Sequence, residues 1–144
     1  MPIRFNTHVD LVELADAWPT PLEVPESVAE ILRVSRALFV HSFWVYEFLV
    51  VATSWSLHGV EAGLRQRFAP VGKGVSFQKL IERAHAEGLL DDAWVERLDA
   101  GRQLRNYLSH PEAQTTFTVV DASVMLEAAH QVVAQLFADP RYPA

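Results

Sequence analysis

Between Pro25 and Pro70 the chain carries no proline, and its only glycines there are Gly59 and Gly63. No other feature limits the fold as much, because almost nothing in this run stops a helix. Ser27 followed by Glu30 has the S-x-x-E form of a capping box, so the helical run is expected to open there and to fill roughly 27–68. About forty residues at ~1.5 Å each would approach 60 Å. That is too long for a compact chain of 144 residues. The run is therefore expected either to break near residue 40 or to pack part of its length against a second copy. Its middle, "ALFVHSFWVYEFLVVATSWSL" (37–57), is nearly long and apolar enough to span a bilayer. Glu47 and His41 lie inside that stretch and no clear basic anchor flanks it, which favours a buried central helix and no membrane partner.

Helix signals recur on both sides of this run. Thr7 and Asp10 form a capping pair ahead of "LVELADAW", and "PTPLEVPES" reads as a connector. Ser76 caps "FQKLIERAHAE", which Gly88 ends. Asp91 or Asp92 opens "AWVERLDAGRQLRNYLS", which stops at Pro111, and Asp121 opens a last helix that Pro140 closes. "TTFTVV" is the only strand-like text, and one short strand makes no sheet. The fold class is thus all-α: an antiparallel bundle of four to five helices with a long central helix, preceded by an N-terminal arm. The arm is placed at 1–25 and the bundle at 26–144. The chain has no cysteine, so disulfides and thiolate metal sites are excluded. Its start has no charged-then-apolar leader pattern, so a cytoplasmic location is the expectation. A net charge of −6 argues against a broad basic coat for nucleic acid but leaves room for a local basic cleft.

The stretch that carries chemistry is "LRNYLSHPE", residues 104–112. On a helical wheel Trp94, Leu98, Gly101, Leu104 and Leu108 gather on one side, with Arg105 in their midst. A guanidinium there needs a partner, because burying its charge alone costs several kcal/mol. In a continued helix His110 would lie about 140° around the axis from Arg105. Pro111 pushes the residue before it out of the helical region, so His110 is expected to leave the helix and swing back toward Arg105. Arg36 and His41 repeat the same R-x4-H spacing, but no breaker follows His41, so that pair is expected to be structural and to diverge along one helix.

A helical bundle whose penultimate helix ends in arginine, a polar residue, and a histidine five after the arginine resembles the HEPN superfamily. "RNYLSH" supplies that motif with Asn106 as its polar residue, and "FQKLIERAHAEGLL" and "SWSLHGVEAGLRQRF" read like the family's neighbouring helices. The similarity covers roughly 30–138 and leaves the N-terminal arm without a counterpart. It implies a metal-independent endoribonuclease of toxin or defence type, acting on RNA without a cofactor. It also implies a homodimer in which Arg105, Asn106 and His110 of two copies line one cleft, and a cognate antitoxin or defence-system protein as a further partner. The residue types suit that chemistry. Histidine moves protons near neutral pH, and arginine forks onto phosphate. Some family toxins carry a modifiable tyrosine two residues after the histidine; Glu112 stands there, so such control is not expected. The other class the resemblance allows is a catalytically silent module that binds RNA, a nucleotide or a protein.

Supporting roles fall on a polar stripe along the central helix, namely Glu47, Ser54, His58, Glu61 and Arg65. It is either a solvated face with internal pairs such as Glu61–Arg65, or the side of the cleft where Glu47, His58 and Glu61 tune Arg105 and His110. Phe43, Trp44, Phe48 and Trp55 are expected in the core. The histidines at 8, 41, 58, 85, 110 and 130 have no metal-site spacing, and no metal is expected. Three observations favour the homodimer beyond the resemblance: the length of the central run, Arg105 on an apolar face, and the clearance beside Gly101.

Overall fold

A computed structural model describes residues 7–20, 23–110, 112 and 117–142. Six helices are found among them and no strand. They are α1 (His8–Asp16), α2 (Glu26–His41), α3 (Phe48–Arg67), α4 (Phe77–Ala86), α5 (Asp92–Leu108) and α6 (Val119–Ala138). The chain is all-helical, as its patterning requires.

The long run breaks. It divides into α2 and α3 at Ser42–Glu47, without proline or glycine. Side chains end α2 instead. The Ser42 hydroxyl donates to the Phe39 carbonyl at 2.5 Å, and the His41 ring nitrogen Nδ1 sits 2.8 Å from the Ala37 carbonyl. The Phe39 carbonyl is one that a continuing helix would have used, and the His41 ring adds a back-bond within the last turn. The following Phe43–Tyr46 segment combines aromatic and β-branched residues of middling helix propensity. Tyr46 then ties the corner down by donating its hydroxyl to the Phe117 carbonyl. The break removes the need for a second copy to cover the run, and it divides the 37–57 stretch. Among the described residues no helix is long and apolar enough to cross a membrane.

Two expected caps are replaced by neighbours. The Ser27–Glu30 capping box does not form. The Pro25 carbonyl already accepts from Val28 and Ala29 at 3.0 and 2.9 Å, so α2 starts at Glu26 and Ser27 lies inside its first turn. Glu30 pairs with Arg33 instead, at 2.6 Å. At α6 the cap is Thr118, whose hydroxyl accepts from the Asp121 N–H at 3.1 Å, while the Asp121 carboxylate accepts from the Thr118 N–H at 3.0 Å. The tail of "TTFTVV" is thus a helix start. Thr7–Asp10, Ser76, Asp91 and Gly88 (φ +74°) act where the sequence places them.

Helix α3 is the axis of the bundle and packs on α2, α4, α5 and α6. It buries Leu49, Ala52, Leu57, Val60 and Leu64 on several sides, as a central helix must. Two apolar clusters surround it. One joins the C-terminal half of α3 to α4, the start of α5 and the end of α6. The other joins α1, the end of α2, the start of α3, the end of α5 and the start of α6. Helix α1 belongs to this second cluster through Leu11 and Ala15, and Trp18 just beyond it is buried there too.

Candidate functional site

The R-x4-H motif at 105–110 lies at the C-terminal end of α5. Asp91 starts the helix by accepting from the Trp94 N–H at 2.9 Å. The expected apolar stripe faces this chain's own core: Leu98, Gly101 and Leu108 are buried, and Trp94 and Leu104 pack against the two clusters. A Cβ at Gly101 would meet Met125 Cε at 2.5 Å and Leu57 Cδ2 at 3.1 Å. The clearance at Gly101 is therefore filled by α6 and α3 of the same chain.

Arg105 is half-buried, and its guanidinium carbon lies 5.8 Å from the centroid of the Phe77 ring on α4. The aromatic face supplies part of the partner that the apolar surroundings demand. None of the ion pairs seen among the described residues includes Arg105.

The helix ends in a tightened turn. Ser109 N–H reaches the Asn106 carbonyl at 3.4 Å, His110 N–H reaches the Tyr107 carbonyl at 3.1 Å, and the Ser109 hydroxyl donates to the Asn106 carbonyl at 2.5 Å. His110 thus lies beyond the last α-helical residue, and its side chain and that of Asn106 are exposed. No hydrogen bond joins Arg105 to His110 among the described residues. Pro111, the expected cause of the helix end, is outside the described residues.

The supporting residues are dispersed. Glu61 pairs with Arg65 at 3.7 Å, and Arg65 holds the α3–α4 loop by donating to the Val75 and Gly72 carbonyls at 2.6 and 3.4 Å. Glu47 is exposed at the N-cap of α3 and makes no capping bond with its side chain. His58 is exposed, with its ring 5.0 Å from that of Trp55. None of the three bonds to Arg105 or His110. Among the described residues no three metal-ligating side chains gather.

The second R-x4-H pair lies within one helix, as expected, although α2 ends at His41 itself. The His41 ring folds back on the Ala37 carbonyl and packs 6.0 Å from the rings of His8 and Trp44. The nearby aromatics are not core. Trp44 is 62 % exposed, Phe43 44 % and Trp55 38 %, and only Phe48 is half-buried. The break after His41 takes Phe43 and Trp44 out of the helix, which helical spacing alone could not reveal.

Two further features went unread in the sequence. An open groove of about 400 Å³ runs between α5 and α6, lined by Leu104, Tyr107, Leu108, Phe117, Asp121, Val124 and Met125. The other is His130, buried on α6, whose ring Nδ1 lies 2.7 Å from the Leu126 carbonyl. Burial lowers its pKa from 6.5 to about 4; the bond to Leu126 opposes this and the charge of Arg36 adds to it. Its signal was present: His130 falls in the apolar register of Leu126, Val133 and Phe137.

Compared with protein-family models, curated proteins and solved structures, the chain finds no match, and its function is read from its own residues.

Proposed function

We propose that the chain is a metal-independent endoribonuclease of HEPN type, with Arg105, Asn106 and His110 at the reacting phosphate. One observation carries the reading: a half-buried arginine that joins none of the ion pairs seen among the described residues stands on the last turn of α5, and an exposed histidine lies just past it. In the reaction His110 takes the proton of the ribose 2′-hydroxyl, whose oxygen attacks the adjacent phosphorus. The bond to the 5′-oxygen breaks, that oxygen is protonated, and a 2′,3′-cyclic phosphate and a 5′-hydroxyl end result. Arg105 stabilises the charge that builds on the phosphate oxygens, and Asn106 orients the phosphate. Neither step calls on a metal.

Two copies together form the cleft in this reading. The support is no longer the length of the central run or the clearance at Gly101, which this chain fills itself, nor the apolar stripe around Arg105, which faces this chain's own core. It is the open α5–α6 groove beside the motif, where Tyr107 and Val124 are 58 % and 60 % exposed. A second copy seated there brings two Arg105–His110 pairs near a two-fold axis and concentrates positive charge on an acidic protein. A toxin or defence role follows from the resemblance.

The exposed aromatic corner favours a second reading, a catalytically silent module that binds its target through Phe43, Trp44, His8 and His41. Incubation with single-stranded RNA in EDTA separates the two. Cleavage is expected with cyclic-phosphate ends, blocked by 2′-deoxy substitution and absent with His110→Ala. Intact RNA beside wild-type protein, or equal cleavage by His110→Ala, overturns the enzymatic reading.

A further inference from the structure

Three of the chain's twelve lysines and arginines meet at one groove, although the protein as a whole is acidic. Arg67 closes α3, Arg83 lies on α4, and Arg141 follows α6. With Phe68, Ala69, Glu87 and Leu89 they line an open groove of about 370 Å³. That volume falls in the ~300–1,000 Å³ range of small-molecule sites. Like charges gathered so closely repel, and their convergence raises the question of what balances them.

The balance is incomplete. Among the lining residues Glu87 is the only carboxylate, and it is exposed and 3.8 Å from Arg83. Asp139 does not line the groove. It accepts from Nε and Nη2 of Arg141 at 2.9 Å each and lies 3.8 Å from Arg67. Two carboxylates thus face three guanidinium groups, which leaves one positive charge in excess. Neighbouring groups also fix where the three point. Arg141 donates through Nη1 to the Glu87 carbonyl at 2.8 Å. Arg67, with only 11 % of its side chain exposed, donates through Nε to the Leu136 carbonyl at 3.2 Å. The guanidinium carbon of Arg83 lies 4.3 Å from the centroid of the Phe68 ring. A guanidinium carries five N–H donors. Among the described residues these bonds take three from Arg141, one from Arg67 and none from Arg83.

We infer that this groove binds a phosphate monoester, with the phosphate among Arg67, Arg83 and Arg141 and the organic part along Phe68, Ala69 and Leu89. Near neutral pH a monoester carries close to two negative charges and three acceptor oxygens around one phosphorus. Those oxygens accept from three directions, whereas a carboxylate offers two oxygens in one plane. The apolar part of the wall favours an ester over free phosphate. Holding Arg141 on Asp139 and Arg67 on the Leu136 carbonyl before a ligand arrives lowers the ordering cost of binding. A phosphodiester, with a single charge, matches the groove less well. The site therefore differs in ligand from the α5 motif, and the inference does not rest on the RNA reading of that motif.

Phenyl phosphate is the probe, followed by titration calorimetry on the full chain at neutral pH. Saturable binding is expected. Phenyl sulfate, with one charge on the same ring, and inorganic phosphate should each bind several-fold more weakly. Arg83 is exposed and makes no hydrogen bond among the described residues, so Arg83→Gln keeps the fold. That variant should weaken binding about fivefold or more, the scale of one lost charge-assisted contact. Glu87→Gln removes the carboxylate from the wall and should tighten binding about two- to threefold. Absence of saturable heat, equal binding of phenyl sulfate or inorganic phosphate, unchanged affinity in Arg83→Gln, or weaker binding in Glu87→Gln would each overturn the inference. Binding that survives Arg83→Gln and is lost in Arg105→Ala would move the phosphate to the α5 motif and overturn it as well.

Discussion

The molecule ends two helices with the same letters and uses them differently. At the end of α2, Arg36 points into a cavity beside the core, His41 folds back on the Ala37 carbonyl, and the chain turns into an aromatic corner. At the end of α5, Arg105 rests on Phe77 and joins none of the ion pairs seen among the described residues, and His110 lies exposed beyond the last α-helical residue. Spacing does not separate the two, and neither does the presence of a helix end, since both helices end there. What separates them is how the histidine ring is engaged. One caps its own helix. The other has no described side-chain partner.

The largest expected effect tests that difference in catalysis. Arg105→Ala is expected to lower metal-free RNA cleavage by on the order of 10²–10⁴-fold, the range for a group acting on the reacting atoms. His41→Ala should remain within a few-fold of wild type, measured as initial rates on one RNA at equal folded fraction. A correctly folded His41→Ala that loses activity while Arg105→Ala keeps it would exchange the roles of the two ends.

A second effect reads the core side of the comparison. His130 has a folded pKa of about 4 against an ordinary value of 6.5. The folded state thus binds fewer protons than the unfolded state between these values. Stability should be full above pH 6.5, fall as the pH drops toward 4, and level off below it. The loss amounts to about 3 kcal/mol at 1.36 kcal/mol per pKa unit. Urea unfolding at a series of pH values measures it, and His130→Gln should flatten the curve over that window. A curve just as steep in His130→Gln would assign the acid sensitivity to other groups.

The smallest effect concerns the corner that makes α2 end where it does. Tyr46→Phe removes the hydroxyl that donates to the Phe117 carbonyl, and should cost about 1 kcal/mol in thermal or urea unfolding with cleavage unchanged. A loss of activity larger than the loss of stability would show that the α2–α3 corner takes part in the α5 site.

How far the sequence could be read depends on whether local chemistry or packing decides each feature. The helices, the α5 stripe and the Asp91, Ser76 and Thr7–Asp10 caps follow from nearest neighbours, and they were legible. The position of the α2 break was foreseen only as a choice, because its causes are the Ser42 and His41 side chains and the distant Phe117 carbonyl. The Ser27 box failed because Pro25 caps the helix two residues earlier. Outward Trp44 and Phe43 could not be read from helical spacing once the helix stopped before them. In the candidate site the positions of Arg105 and His110 at a helix end were legible. The partners of Gly101, Arg105 and Glu61 were not, since Met125, Phe77 and the α3–α4 loop are brought to them by the tertiary fold.

The most direct test asks which helix end meets phosphate, without requiring turnover. A short oligonucleotide with 2′-deoxy sugars binds without being cleaved, and NMR follows the imidazole signals of His41 and His110 as it is added. The account predicts that the His110 signals shift saturably as the oligonucleotide is added, while those of His41 stay in place. Shifts confined to His41 and the Trp44 indole, with His110 unmoved, would contradict it and place binding at the aromatic corner.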